Sequence, residues 1–410
     1  MDLSTDAYKG TSNQKDTAKV EYKAQAASPF INGEVRLTIS ESTLLVTSPL
    51  DAIELAYREI NALELHDYIV RVSADSGDFA FSKLGTFCEG FYLELHDTYN
   101  RAVLRSLFEK GAPIKVTEGD YRYSEPASSG ASKASIQVFD DCVVALPPNL
   151  GARRIPLCFI SGIDKGDFEI TLRLSANESY SFARLGYETD IFAETIEQQL
   201  RLMREQTLEA IREIDPSLTA IQAMQIARLM PRGVSAPFAQ LAALAPSFVA
   251  ALEALLANSR IAETYRIFKE LSDPSQIYIG FKKAANFIAN PDDKALSADL
   301  YLLWLIAPSP DGRFAAVEFA ESGSATFVYQ TGGDFSRFAW QLNRSLEAID
   351  FKREVIRISD DELRKPEYTD YYMAAKRTPA LQFIRSNFAG RVIHSSTESW
   401  KRKLIELWSR

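Results

Sequence analysis

Thr43 to Leu95 reads TLLVTSPLDAIELAYREINALELHDYIVRVSADSGDFAFSKLGTFCEGFYLEL, and Asp141 to Ile196 reads DCVVALPPNLGARRIPLCFISGIDKGDFEITLRLSANESYSFARLGYETDIFAETI; the second repeats the pattern of the first. Tyr57, Ile60, Leu63, Asp67, Tyr68, Val70 and Val72 fall on Leu157, Ile160, Ile163, Asp167, Phe168, Ile170 and Leu172 at a constant offset of 100. After one extra residue in the turn, Phe81, Leu84, Gly85 and Phe91 fall on Phe182, Leu185, Gly186 and Phe192. An internal repeat of this length means one supersecondary unit used more than once.

Each copy alternates apolar and polar residues and then changes period. Tyr68, Val70 and Val72 are expected to face one way and Ile69, Arg71 and Ser73 the other, as in a half-buried strand, and Phe168, Ile170, Leu172 and Leu174 repeat this. Residues 73–77 and 175–179 supply hairpin turns. Beyond the Leu-Gly corner the spacing becomes helical: Phe91 and Leu95 in the first copy, then Ile191, Phe192, Ile196, Leu200 and Met203 in the second. Antiparallel strands closed by one helix are therefore expected twice.

This order resembles the pleckstrin-homology-like (PH-like) superfold over Val35 to Glu109 and Ile136 to Arg212. Paired modules of this kind resemble those of histone chaperones and of bacterial multi-module proteins. The resemblance implies ligand or partner binding rather than catalysis. It does not extend to an inositol-phosphate site, because the corresponding loops hold Ser48, Pro49, Leu50 and Asp51, then Pro147, Pro148, Asn149 and Leu150, in place of clustered Lys and Arg. Arg153 and Arg154 are the one close basic pair beside these loops. A solvated strand edge accounts for them, with a contact role as the functional alternative.

The organisation expected is α+β. Residues 1–30 are a flexible N-terminus, 31–123 the first PH-like module, 124–134 (SEPASSGASKA) a small-residue linker and 135–214 the second module. A helical segment covers 215–272. Residues 273–350 form a third β-rich module, which repeats the Gly-to-Phe corner spacing at Gly332 and Phe338 and so reads as a diverged third copy. Residues 351–410 are read as helical and basic, with 13 Lys and Arg against 8 Asp and Glu. Gly233 to Leu252 lacks charge over 20 positions. Pro237, Pro246 and its many alanines favour two short buried helices over a membrane span.

Chemistry is sparse. The three histidines, His66, His96 and His394, share no metal-ligand spacing, and the sequence holds no phosphate-loop, dinucleotide or nucleophile-elbow motif. Neither metal nor cofactor is expected. Asp67 and Asp167 read as turn residues rather than paired acids. Cys88, Cys142 and Cys158 show no redox pairing, and Met1 to Gln25 lacks an apolar secretory stretch, which together place the chain in the cytoplasm.

A net charge of −9 opposes non-specific binding to nucleic acid. The C-terminal stretch is the expected contact element: Trp400, Leu404, Leu407 and Trp408 line one helical face, with Lys401, Arg402 and Lys403 beside or opposite it. Such a helix docks on its own protein or on a partner, or lies on an anionic membrane. The leading expectation is a non-enzymatic scaffold for a protein partner. The alternatives are a nucleic-acid- or chromatin-associated factor, a membrane-surface adaptor, and an enzyme with widely scattered residues.

Overall fold

The computed structural model describes residues 20–109, 111–175, 177–283, 301–320 and 325–409. The chain divides into two compact units, Met1–Ala102 and Val103–Arg410.

The first unit holds β1 (Glu21–Ala27), β2 (Asn32–Ile39), β3 (Thr43–Thr47), β4 (Ala52–Ala56), β5 (Ile60–His66), β6 (Ile69–Ala74) and β7 (Gly77–Ser82), followed by helix α1 (Cys88–Ser106). The sheet order is β4-β3-β2-β1-β7-β6-β5, all antiparallel, so the first strand pairs with the last. Alternation places Leu37, Leu44, Val46, Val70, Val72, Phe79 and Phe81 in the core. α1 adds Phe91, whose ring meets Phe81 edge-on at 6.5 Å. The chain reaches that helix through a corner in which Lys83 and Gly85 take φ of +58° and +61°. A glycine costs nothing there, whereas other residues are disfavoured.

The second unit opens with the same device. β8 (Lys115–Glu125), β9 (Ser128–Val138), β10 (Cys142–Leu146), β11 (Arg153–Pro156), β12 (Ile160–Lys165), β13 (Glu169–Leu174) and β14 (Glu178–Ala183) form a sheet ordered β11-β10-β9-β8-β14-β13-β12, closed by α2 (Thr189–Ile214). Phe182 meets Phe192 edge-on at 5.3 Å, as Phe81 meets Phe91. Arg184 and Gly186 repeat the positive-φ corner. The matches found in the sequence thus recur as matched geometry.

The expected boundaries shift. Residues 124–134 are no linker: they are the tip and return of the β8–β9 hairpin, with Glu125 opposite Ser128 and Ser124 opposite Ser129. Small polar residues make this ladder read as a spacer, but its main chain is paired across both strands. The second module therefore starts at Lys115, and the first strand of the first module lies at Glu21, inside the stretch expected to be flexible. Residues 1–19 of that stretch lie outside the described residues.

After α2, the chain forms α3 (Ala220–Leu229), β15 (Ala236–Pro237), α4 (Phe238–Leu244), α5 (Pro246–Ala257) and α6 (Ala262–Leu271). The uncharged stretch is thus mostly α4 and part of α5, each starting at or just after a proline, and among the described residues no helix is long and apolar enough to cross a membrane. β16 (Tyr278–Lys283), β17 (Tyr301–Pro308), β18 (Phe314–Phe319), β19 (Ala325–Gln330) and β20 (Phe388–Ile393) then complete a six-stranded antiparallel sheet ordered β15-β16-β17-β18-β19-β20. Here sequential strands are neighbours and the first does not pair with the last. The diverged third copy expected from Gly332 and Phe338 is not reproduced.

Both faces of this sheet are covered. Leu303, Leu305 and Ala307 share a core with α3 to α6 and with α12 (Thr397–Trp408). Trp304 and Ile306 face α7 (Phe335–Ala348), α8 (Glu354–Arg357), α9 (Asp360–Leu363), α10 (Thr369–Arg377) and α11 (Pro379–Ser386). The segment 215–272 and α12 therefore coat one face of this sheet, α7 and the helices that follow it coat the other, and the C-terminal region contributes a strand as well as helices. Gly280 makes this packing close: a Cβ there would lie 2.1 Å from the buried Trp304 ring. Gly280→Ala is expected to cost about 1–3 kcal/mol through overpacking, read as a lower thermal midpoint of the full chain.

Candidate partner-binding surface

The predicted contact residues separate into buried and exposed sets. Arg153 and Arg154 are only 6% and 4% exposed, so the solvated-edge reading is corrected. Arg153 grips both oxygens of Glu125 at 2.8 and 3.1 Å, stacks over Tyr123, and donates to the carbonyl of Arg377. The Tyr180 hydroxyl lies 2.8 Å from Glu125 and 2.9 Å from Glu178, with one proton to share between them, and Glu178 in turn accepts from Arg344 of α7 at 2.9 Å. Arg154 donates to Glu109, to Asp141 at 2.9 Å, and to the carbonyl of Glu347 on α7. Burial is the largest influence on the carboxyl of Asp141 and pushes it up, but Arg154, Lys282, Arg232 and a hydrogen bond from Cys142 together outweigh it, and the net shift is down. Glu125 is likewise lowered, Arg153 overcoming the effect of burial. Arg154 fastens edge strand β11 to α7 and Arg153 fastens it to Glu125 and the Arg377 carbonyl, and neither has a free face for a ligand.

Helix α12 docks on its own sheet. Trp400, Leu404 and Trp408 are buried, and the Trp400 indole donates to Thr326 Oγ1 at 2.8 Å. The basic residues point outward: Lys401 pairs with Glu270 at 2.8 Å, Arg402 lies 3.8 Å from Glu406, and Lys403 is exposed.

Two clusters have the composition of a chemical site. Glu109, Asp141 and Cys142 stand close enough to share a cation. The Arg154 guanidinium already bonds both carboxylates and supplies that positive charge. The second cluster joins Glu318, fully buried on β18, to His394 at 3.0 Å and to Thr326. Thr326 lies 3.2 Å from the same imidazole Nε2 that meets Glu318. A hydroxyl nucleophile needs its acid on the opposite imidazole nitrogen and access for substrate. This cluster has neither, since Thr326 is fully buried.

The exposed surface is more informative. Tyr68 and Phe87 in the first module are 82% and 67% exposed, and Phe168 and Tyr187 in the second are 77% and 90% exposed. Tyr68, expected to face inward, instead sits with Asp67 in the two-residue β5–β6 turn, both at positive φ. Phe168 occupies the matching β12–β13 loop, which also corrects its inward assignment. Phe87 and Tyr187 lie in the turns of 3₁₀ helix that precede α1 and α2. The Cys88 thiol donates to the Tyr68 carbonyl at 3.3 Å, which brings turn and corner together. β5 and β12, which lead into these loops, are the terminal strands of their sheets.

A cleft in the first module, about 700 Å³, presents Lys23, Arg36 and Lys83 with Thr47 and Ser48. Glu34 shares it, and Arg36 is paired with Glu21 at 3.3 Å.

No protein-family model matches the sequence, and no curated protein matches it. Among solved structures the chain is compared with the crystal structure of a DNA polymerase sliding clamp from Pseudomonas aeruginosa with ligand, at 11% identity over 80% of this chain and 82% of that one. The TM-score of 0.12 is too low to carry an argument about fold or function.

The aromatic corner escaped sequence reading because strict alternation carried Tyr68 and Phe168 into the core. Their offset-100 match beside a repeated Asp was the available signal: a turn residue that stays aromatic in both copies is not there for packing.

Proposed function

We propose that the chain is a non-enzymatic interaction scaffold whose tandem PH-like modules bind a protein partner in the cytoplasm. The observation that carries this reading is the recurrence, in both modules, of two exposed aromatic rings beside the end of a terminal strand. Exposed aromatics cost solubility and add nothing to a core, whereas at interfaces Tyr and Phe act as anchors. An uncapped strand edge offers main-chain hydrogen bonds to an added strand. The PH-like assignment is supported by the seven-strand order with first-to-last pairing and a closing helix, present twice. Three free cysteines accord with a reducing compartment.

The test is capture from native lysate on the full-length chain, with and without nuclease and at two salt concentrations. The scaffold reading expects a discrete protein partner that survives both treatments. Its retention is expected to fall at least tenfold in the Tyr68→Asn, Phe87→Ser, Phe168→Ser, Tyr187→Ser variant, whose thermal midpoint stays near that of the wild type. Asn suits the left-handed turn at position 68. Nucleic acid that dissociates at the higher salt, with no protein retained, would replace this reading with the nucleic-acid-associated one. Anionic vesicles retained through Lys23, Arg36 and Lys83 would replace it with the membrane-surface adaptor.

A further inference from the structure

A second cleft, about 520 Å³, opens between α2 and α3 beside the start of β12. Its origin is local. Asp215 turns the chain at the end of α2 by accepting from the amide and hydroxyl of Ser217, and Thr219 caps α3 in a reciprocal pair with Gln222. α3 thereby folds back along α2, and Ala223 and Ile226 pack with Ala210, Ile211 and Ile214. Nearer the middle of α2 the two helices leave a trough. Its floor is apolar, with Leu200 and Met203 on α2, and Met224 stands at its mouth, 46% exposed.

The charge of the trough is one-sided. Arg204 of α2 and Arg228 of α3 both line it, one guanidinium from each wall, and no acidic side chain does. Both arginines are exposed, and neither forms an ion pair among the described residues. The basic residues elsewhere in this unit that lie near acids pair with them, as Lys283 does with Glu213 and Lys401 with Glu270. A concave apolar volume with a few convergent polar groups at its mouth is the general form of a small-molecule site, and this volume lies within the usual range of about 300–1,000 Å³. Methionine lining adapts to flexible chains. The planar guanidinium matches a carboxylate better than a point charge does.

We infer that this cleft binds an amphiphilic carboxylate, with its apolar chain over Leu200, Met203 and Met224 and its head group held by Arg204 and Arg228. The site is separate from the aromatic corners and does not depend on the scaffold reading. A neutral alcohol would use the same trough less well, for lack of a partner to the arginines.

The probe is dansyl-labelled undecanoate, titrated against the full-length chain by fluorescence. The expected result is saturable binding, displaced by dodecanoate and not by dodecyltrimethylammonium. The Arg204→Gln, Arg228→Gln variant is expected to bind at least tenfold more weakly. Both residues are exposed, so its circular dichroism and thermal midpoint should match the wild type. The inference is overturned by absence of saturable binding, by equal displacement with the cationic amphiphile, or by unchanged affinity in the double variant. Capture of a protein partner through the aromatic corners is read separately, so either result leaves the other standing.

Discussion

Arg154→Met is expected to cost about 3–5 kcal/mol at neutral pH, because it strands buried carboxylates without their cation. Met keeps most of the side-chain volume, so the loss is electrostatic rather than a cavity. Arg154 is the shared partner of Glu109, Asp141 and the Glu347 carbonyl, and Lys282, 3.2 Å from the Glu347 carboxylate, cannot replace it at all three. The sign of the pH dependence follows from the lowered carboxyl of Asp141. A depressed folded value means that its stabilisation is complete above the ordinary carboxylate range near ~4 and is lost as pH falls through the folded value. In the variant the orphaned Asp141 prefers the protonated form, so the difference between the proteins shrinks as pH falls. Urea unfolding of both chains at pH 7 and pH 4.5 measures this. An equal difference at the two pH values would mean that packing, not charge, sets the cost. Adding Glu109→Gln and Asp141→Asn is expected to restore much of the loss, since a buried network removed whole costs less than one broken.

The same network shows why some features were legible in the sequence and others were not. The repeat could be read because a half-buried strand writes its environment into alternation, and Val70, Val72, Ile170 and Leu172 are all buried as that pattern requires. β18 and β19 could be placed because they lie between coats of helices on both faces and are nearly continuous runs of apolar residues. Arg153 and Arg154 could not be interpreted locally. Their partners Glu125, Glu109 and Glu347 lie 28, 45 and 193 residues away, and a basic pair bonded at such separations looks in sequence like one in water. The β8–β9 hairpin misled for the opposite reason: residues such as Ser129 and Ala131 lie on a ribbon open to solvent where the backbone pairing, not the side chains, makes the strand. Gly130 has its own constraint, since a Cβ there would lie 2.7 Å from the Tyr123 ring. β20 was missed because Phe388 to Ile393 includes Gly390 and buries only Val392 fully. Its register against β19, not its composition, makes it a strand.

Trp400→Ala is expected to lower stability by about 3–5 kcal/mol, the cost of emptying a large buried aromatic site. The sequence alone allowed Trp400 to be an anchor for a partner, and the substitution distinguishes the two roles. The ring is 3% exposed, packs 6.2 Å from Phe268 and 5.2 Å from His394, and donates to Thr326. That hydroxyl also bonds Glu318, whose other oxygen has no hydrogen-bond partner. Loss of the indole therefore removes apolar contact and loosens a buried polar cluster with no surplus of bonds. Lys401→Ala, Arg402→Ala and Lys403→Ala together provide the contrast. Their pairs are solvent-facing, and exposed ion pairs contribute about 0–1 kcal/mol, so this triple variant is expected to unfold close to the wild type. Denaturant midpoints for both variants, set beside the partner-capture assay, divide the helix into its two faces. A Trp400→Ala chain that keeps wild-type stability but loses its partner would return the ring to the role of an anchor. A large loss of stability with the basic triple unaffected makes α12 a clamp on the sheet, held from the inside by its tryptophans.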